Sequence, residues 1–185
     1  RYHKKTTALD LLCHQKKGPG AAVVRWWSGI SAVYDLTNQK RRDYYVNELE
    51  TFLSKHGIDG LKFDAGDQHL FAPGVDVRFY RPEQTGVDYI EEYGRVAAQF
   101  PYNEIRSCYK CGGKPLVLRL MDKRHMWKDL QDIIPGMEAA GLCGYAFTVA
   151  DMIAGGNCGS YPPSGFTIDQ KLFVRSCALQ ALMPM

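Results

Sequence analysis

Short apolar runs alternating with longer stretches of helical periodicity predict an α/β fold built on a parallel sheet. Two further observations support it: Gly and Pro residues punctuate the boundaries, and polar side chains stand where the apolar runs end. With 185 residues, 45% of them hydrophobic, the chain is long enough for one domain with a sizeable core.

Residues 21 to 27 form an apolar run ending in Ser28-Gly29, and read as a buried strand feeding a loop. From Asn38 to His56, the residues Tyr45, Leu49, Phe52, Leu53 and His56 share one helical face, and Gly57 supplies a stop signal. A second strand is predicted over residues 60 to 64 and a second helix over 87 to 100, with Ile90, Tyr93, Ala97 and Phe100 in register and Pro101 ending it. Strands are then predicted over 104 to 108 and 115 to 121. The Gly-rich link between them is too short for an ordinary crossover helix, so an irregular connection is expected there. A helix over 127 to 140 is threatened with a kink by Pro135 and Gly136. A fifth strand is expected over 143 to 149, a loop at 161 to 165 and a closing helix over 168 to 182. A linker fits only near residues 16 to 20. Five parallel strands do not close an eight-stranded barrel, so the sheet stays open or strands are missing.

A formal charge of +3, with Lys and Arg interspersed among Asp and Glu, argues against nucleic acid as a partner, and Lys40-Arg41-Arg42 reads as a solvated helix face. No apolar run is long enough to span a bilayer, and no signal-peptide pattern opens the chain. Because the chain begins at Arg1 and runs apolar to Met185, it reads as cut from something longer. Cys108 and Cys111 have CxxC spacing, but no second close pair accompanies them and Gly112-Gly113 and Pro115 follow where a redox motif opens a helix. Loop and core cysteines, with room for one disulfide, are the expectation. The histidines form no HxxxH or HxH set, and no metal or organic cofactor is predicted.

In parallel α/β folds the reactive groups gather where strands give way to loops. Trp27, Asp64, Arg106 with Ser107, Asp122 and Asp151 stand at such ends. Asp64 and Asp122 form a pair suited to glycoside hydrolysis, in which one carboxylate attacks while the other donates a proton. The attacking group must stay ionised, helped by Lys62 and Arg106, and the donor must hold its proton. An Asp after a strand is also an ordinary loop cap or helix N-cap, and position alone leaves that alternative open. Trp27, nearer the loop than Trp26, suits a sugar-stacking platform, with Trp26 assigned to the core. Arg106 and Arg119 fall where an unpaired charge would be costly, and either face carboxylates in a barrel mouth or form a structural ion pair.

Beyond these rules, Trp26-Trp27-Ser28-Gly29 followed by Asp35-Leu36-Thr37-Asn38 resembles the WWxG and DFTNP elements of family 31 glycoside hydrolases, with Gln39 in place of proline. Lys62-Phe63-Asp64-Ala65-Gly66-Asp67 resembles the family's nucleophile strand in its KFDAGE form, with Asp67 in place of Glu. Arg106-Ser107, then Arg119-Leu120-Met121-Asp122 with Trp127, resembles the acid/base region. Gly144-Tyr145-Ala146-Phe147 and Asp151-Met152-Ile153-Ala154-Gly155-Gly156-Asn157 resemble GYPF and DMxGGN, with Ala146 for proline and Ala154 as an extra residue. Arg175 through Pro184 resembles the RW…MP helix, with Ser176 for Trp.

The resemblance covers residues 21 to 185; residues 1 to 20 match it poorly. It implies a partial (β/α)8 TIM barrel, about strands three to seven with their helices, lacking the remaining strands and the flanking β-sandwich domains. It implies retaining chemistry on an α-linked carbohydrate, with Asp64 as nucleophile, Asp122 as acid/base, and Trp27, Lys62, Arg106, Arg119 and Asp151 lining the sugar pocket. The KFDAGD form looks more like the family's α-galactosidase-like branch than its α-glucosidase or α-xylosidase branches. A truncated, non-catalytic carbohydrate-binding or scaffold protein is the alternative of a different class. The resemblance points to the lumen or membranes of the secretory pathway.

Overall fold

A computed structural model describes residues 10–27, 29–72, 74–156 and 167–183. The chain divides into two compact units, one of Arg1–Tyr102 with Ser107–Lys110, the other of Asn103–Arg106 with Cys111–Met185.

In the first unit, β1 (Val23–Trp26) pairs antiparallel with β2 (Gly29–Ala32), from Val23↔Ala32 to Trp26↔Gly29. This corrects the reading of residues 21 to 27 as a buried strand feeding a loop. Val23 and Arg25 face water while Val24 is buried, so the run has the two-residue alternation of a strand wet on one side. Gly29, at φ 123°, takes a backbone shape that a side chain would resist, which closes the hairpin. Residues 16 to 20 form a tight bend closed by Gln15 N–H on the Gly20 carbonyl at 3.0 Å, and Leu11, Leu12 and Cys13 before it are buried in the core.

The first helix, α1 (Gln39–His56), starts and stops as predicted. The Asn38 side chain accepts from Arg41 N–H at 3.2 Å, and Gly57 ends the helix at φ 62° with its N–H on the Leu53 carbonyl. Beneath its start lies a buried ion pair. Asp35, wholly removed from solvent, accepts from Arg41 Nη1 at 2.8 Å, Tyr80 N–H at 2.7 Å, Thr37 N–H at 3.1 Å and the Thr37 hydroxyl at 2.5 Å. Those four donors, with Asp10 on the other arm of Arg41, compensate the cost of burying the charges.

β3 (Gly60–Phe63) leads to a short 3-10 turn at Gln68–Phe71 and then α2 (Gly86–Ala97), which Thr85 and Asp88 open as a reciprocal capping box. The helix stops three residues short of Phe100. Tight turns from Gln99 N–H to Val96 and from Phe100 N–H to Ala97 replace its predicted last turn. Its buried face carries Tyr89 and Tyr93 into an aromatic core with Phe63, Phe71, Phe79 and Phe100; the Phe71 and Tyr89 rings lie 4.3 Å apart. Gly60 accommodates the first residue of the next strand: a Cβ there would sit 2.4 Å from the Tyr102 carbonyl oxygen.

In the second unit β4 (Tyr102–Ile105), β5 (Val117–Arg119) and β6 (Phe147–Val149) run parallel in that order, with Ile105↔Leu118 and Arg119↔Val149 in register. The helix-free link predicted before β5 is present. On its second-unit part, Gly112 presses against the Cys143 carbonyl, and Gly113 N–H bonds the Gly144 carbonyl at 2.7 Å. Both β5 and β6 are shorter than predicted. Pro115 has no N–H to pair, and Gly144, at φ 87°, turns the chain ahead of β6.

The predicted 127 to 140 helix is two helices, α3 (Trp127–Gln131) and α4 (Ile133–Leu142), meeting at Asp132. The break falls before Pro135, which thereby sits in the first turn of α4, where its missing N–H leaves no bond unmade. Asp169 caps α5 (Gln170–Gln180) by accepting from Lys171 and Leu172 N–H. Ile133, Val149, Ala150 and Met183 form the core of this unit, with Val117, Leu120, Leu130, Met137 and Leu179 against it. The predicted loop at 161 to 165 lies outside the described residues, as does Cys158. Cys13, Cys108, Cys111, Cys143 and Cys177 are free thiols, and burial pushes the Cys13 thiol well up, away from thiolate chemistry. Among the described residues no helix is long and apolar enough to cross a membrane, and no group of metal-ligating side chains is assembled.

Candidate active site

Strand alternation sets the first half of the site. Phe63 is buried and Lys62 exposed at the end of β3, and Asp64 follows as the chain leaves the strand. The backbone then passes through two left-handed residues, Ala65 at φ 59° and Gly66 at φ 72°. This bend lets Ala65 N–H donate to Asp64 Oδ1 at 2.9 Å, while the Tyr93 hydroxyl donates to the Asp64 carbonyl at 2.8 Å. Gly66 is required twice over, because a Cβ there would lie 2.7 Å from the Tyr93 ring. Asp67 Oδ1 accepts from the Ser107 hydroxyl at 2.8 Å.

Asp64 opens onto a cavity of about 190 Å³ walled by Trp26, Tyr34, Tyr45, Phe71 and Tyr93. Burial pushes the Tyr45 phenol up, so it stays neutral as a hydrogen-bonding group. Of the two tryptophans, the one assigned to the core borders the cavity. Trp26 lines the cavity, its Nε1–H on Ser31 Oγ at 3.0 Å, whereas Trp27 stands at the hairpin turn, 64% exposed, with its ring 5.2 Å from that of Trp26.

The second unit gathers Arg106, Arg119, Asp122 and Asp151. Arg119, the last residue of β5, is buried with three carboxylates about it: Glu104 Oε1 lies 3.0 Å from Nε, and Nη1 donates to Asp122 Oδ1 at 2.8 Å and to Asp151 Oδ1 at 2.7 Å. Arg106 Nη1 lies 3.8 Å from the same Asp122 oxygen. Asp151 is about nine-tenths buried, and its Oδ2 has no hydrogen-bond partner among the described residues, leaving an acceptor unused where that is costly. Partial burial pushes the Asp122 carboxyl up, but the Arg119 hydrogen bond and charge, with Arg106 behind them, outweigh it and hold the group below the usual carboxylate range. In this state the group predicted to hold a proton is kept ionised.

The loop that carries Asp151 is fixed from several sides. Ala154, at φ 62°, donates its N–H to Ser176 Oγ at 2.7 Å, and Gly156 N–H bonds the Lys123 carbonyl at 2.7 Å. The extra residue at 154 and the Ser at 176 are therefore one local arrangement. His125 Nε2 accepts from Asp169 N–H, which leaves Nδ1–H to donate to the Ala154 carbonyl, each at 2.9 Å. Trp127 is a peg: its Nε1–H donates to Asp169 Oδ2 at 2.9 Å. Glu104 is the residue of this cluster that the sequence did not single out. Burial alternates along β4, with Glu104 between the buried Asn103 and Ile105, but no local sequence pattern marks it.

Parallel strands with a cluster of carboxylates and arginines at their ends make this an α/β sheet segment with a polar strand-end site, and similarity to known proteins identifies its family. The model for the glycosyl hydrolases family 31 TIM-barrel domain matches residues 1–185, and the chain belongs to that family. It is 30% identical over 183 residues to the myogenesis-regulating glycosidase of Mus musculus, covering 95% of this chain and 25% of that protein. Among solved structures, a family 31 sulfoquinovosidase from E. rectale bound to an aza-sugar inhibitor superposes with a TM-score of 0.83 at 18% identity, over 100% of this chain and 29% of that one. The cycloalternan-degrading enzyme of Trueperella pyogenes gives 0.75 at 23% identity, over 99% and 26%. These two share the fold, a partial (β/α)8 barrel in this chain. The chain spans about a quarter of the length of the relative it matches in sequence.

Proposed function

We propose that the protein acts as a retaining α-glycoside hydrolase of α-galactosidase-like specificity. Asp64 attacks the anomeric carbon while Asp122 gives its proton to the departing glycosidic oxygen, leaving a glycosyl ester on Asp64 and a free aglycone. Asp122 then takes a proton from water as the water oxygen displaces Asp64, releasing the sugar with its configuration kept. The observation that carries this reading is Asp64, at the end of a KFDAGD strand, opening onto an aromatic-walled cavity. An aromatic wall suits the apolar face of a pyranose, and the unused Asp151 Oδ2 is an acceptor for a sugar hydroxyl. Trp27, Lys62 and Arg106 are assigned to the sugar pocket by the same motifs.

Arg119 favours the charged form of Asp122, the form that activates water in the second step. Loading Asp122 for the first step requires that contact to loosen, and a bound glycoside, by taking solvent from the carboxyl, favours its neutral form. The full-length chain should turn over an aryl α-galactoside faster than the matching α-glucoside or α-xyloside. Asp122→Asn should lower turnover by roughly 10²- to 10⁴-fold, and Asp64→Asn should abolish it. Proton NMR of the first-formed anomer should show retention; the inverted anomer, or binding of sugar without turnover, would contradict the reading. A secretory-pathway setting belongs to this proposal through the same resemblance.

A further inference from the structure

We propose that Glu104 is a positioning residue for Asp122: by engaging the Nε edge of Arg119 it restrains the guanidinium shared by Asp122 and Asp151, and so sets how readily Asp122 takes up its proton. This rests on the reading of Asp122 as the acid/base.

Glu104 meets the planar guanidinium as an ion pair on its Nε side, so what the surrounding carboxylates share is the charge of one rigid group. In this site one edge faces Glu104 at 3.0 Å, and the Nη1 atom is divided between Asp122 at 2.8 Å and Asp151 at 2.7 Å. Glu104 and Arg119 stand on neighbouring strands in fixed register, β4 and β5, so the contact is built by the sheet rather than by a mobile loop. The groups facing Asp122 are Arg119 from β5, Arg106 beyond β4, Asp151 beyond β6 and Lys123 next along its own loop. Glu104 is not in contact with Asp122, and its influence passes through Arg119. Three carboxylates divide one buried positive charge, so withdrawing one of them leaves more of that charge to the others. Glu104 is therefore a counterweight. Without it, Arg119 binds Asp122 harder and the proton needed for the first step is harder to load.

Activity against pH in the full-length chain tests this. Glu104→Gln keeps the shape and removes the charge; the basic limb of its kcat/KM profile should move to lower pH by roughly one unit, with KM changed less than kcat. Glu104→Asp keeps the charge but sets it back by one methylene, and should return the limb toward its wild-type position. Asp122→Ala, assayed on an aryl glycoside with a good leaving group, should remove the limb altogether. If it does so while neither Glu104 variant displaces the limb, Glu104 is merely structural and the proposal is overturned. If the limb persists in Asp122→Ala, it belongs to another group, and the acid/base reading falls together with this inference.

Discussion

Two buried arginines are handled in opposite ways, Arg41 within the closed core of the first unit and Arg119 among the proposed site residues of the second. Arg41 meets an Asp35 with no exposed surface and four donors on its carboxylate, so nothing about that pair is left unfinished. Arg119 meets three carboxylates, one of them, Asp122, about a third exposed, and another, Asp151, with a buried oxygen left over. A closed network can only break, whereas an open one can exchange partners, and exchange is what proton transfer and sugar binding require.

The largest expected effect is on the closed network. Asp35→Ala strands Arg41 in the core and unpairs the Tyr80 and Thr37 amides, and should cost about 3–5 kcal/mol, read as a lowered urea midpoint at constant slope. A loss under about 1 kcal/mol would remove the contrast with Arg119. Gly66→Ala comes next. It forces a side chain against the Tyr93 ring in a left-handed conformation, and about 1–3 kcal/mol of destabilisation is expected. Because Tyr93 also holds the Asp64 carbonyl, turnover should fall by more than stability alone explains; parallel losses would mean that the bend only serves folding.

The smallest effect belongs to the open network. With its folded pKa depressed, Asp122 contributes stability that is present above the ordinary carboxylate value and is lost as pH falls through the folded one. Comparing urea midpoints at pH 6 and pH 3, Asp122→Asn should be less acid-sensitive than wild type by no more than about 1 kcal/mol. An unchanged acid dependence would show that Arg119 does not favour the charged form of Asp122.

The fold was legible in the sequence where the signals were local. Asn38 and Gly57 bound α1, and the period through Ile90, Tyr93 and Ala97 marks α2. Each of these is a property of residues within a few positions of one another. The run at 21 to 27 was misread because a short apolar stretch looks alike in a buried parallel strand and in one arm of a hairpin; only the partner, residues 29 to 32, decides. The same dependence on a partner hid the place of Trp26 at the cavity. The residues predicted for the second unit's site do converge on Arg119, yet Glu104 was invisible. A single acidic residue within a strand carries no pattern of its own and acquires meaning only from the strand beside it. Nor does any spacing reveal that Asp122 is held ionised, since that depends on distances across three strands.

The bend after Asp64 also limits which sequences this segment tolerates. Gly66 admits no side chain, and the left-handed backbone at 65 favours a small residue such as the alanine present, whereas a β-branched one would flatten the turn and swing the carboxylate off its amide. A side chain at 65 larger than the alanine present therefore acts on Asp64 at one remove, through the amide that its carboxylate accepts from.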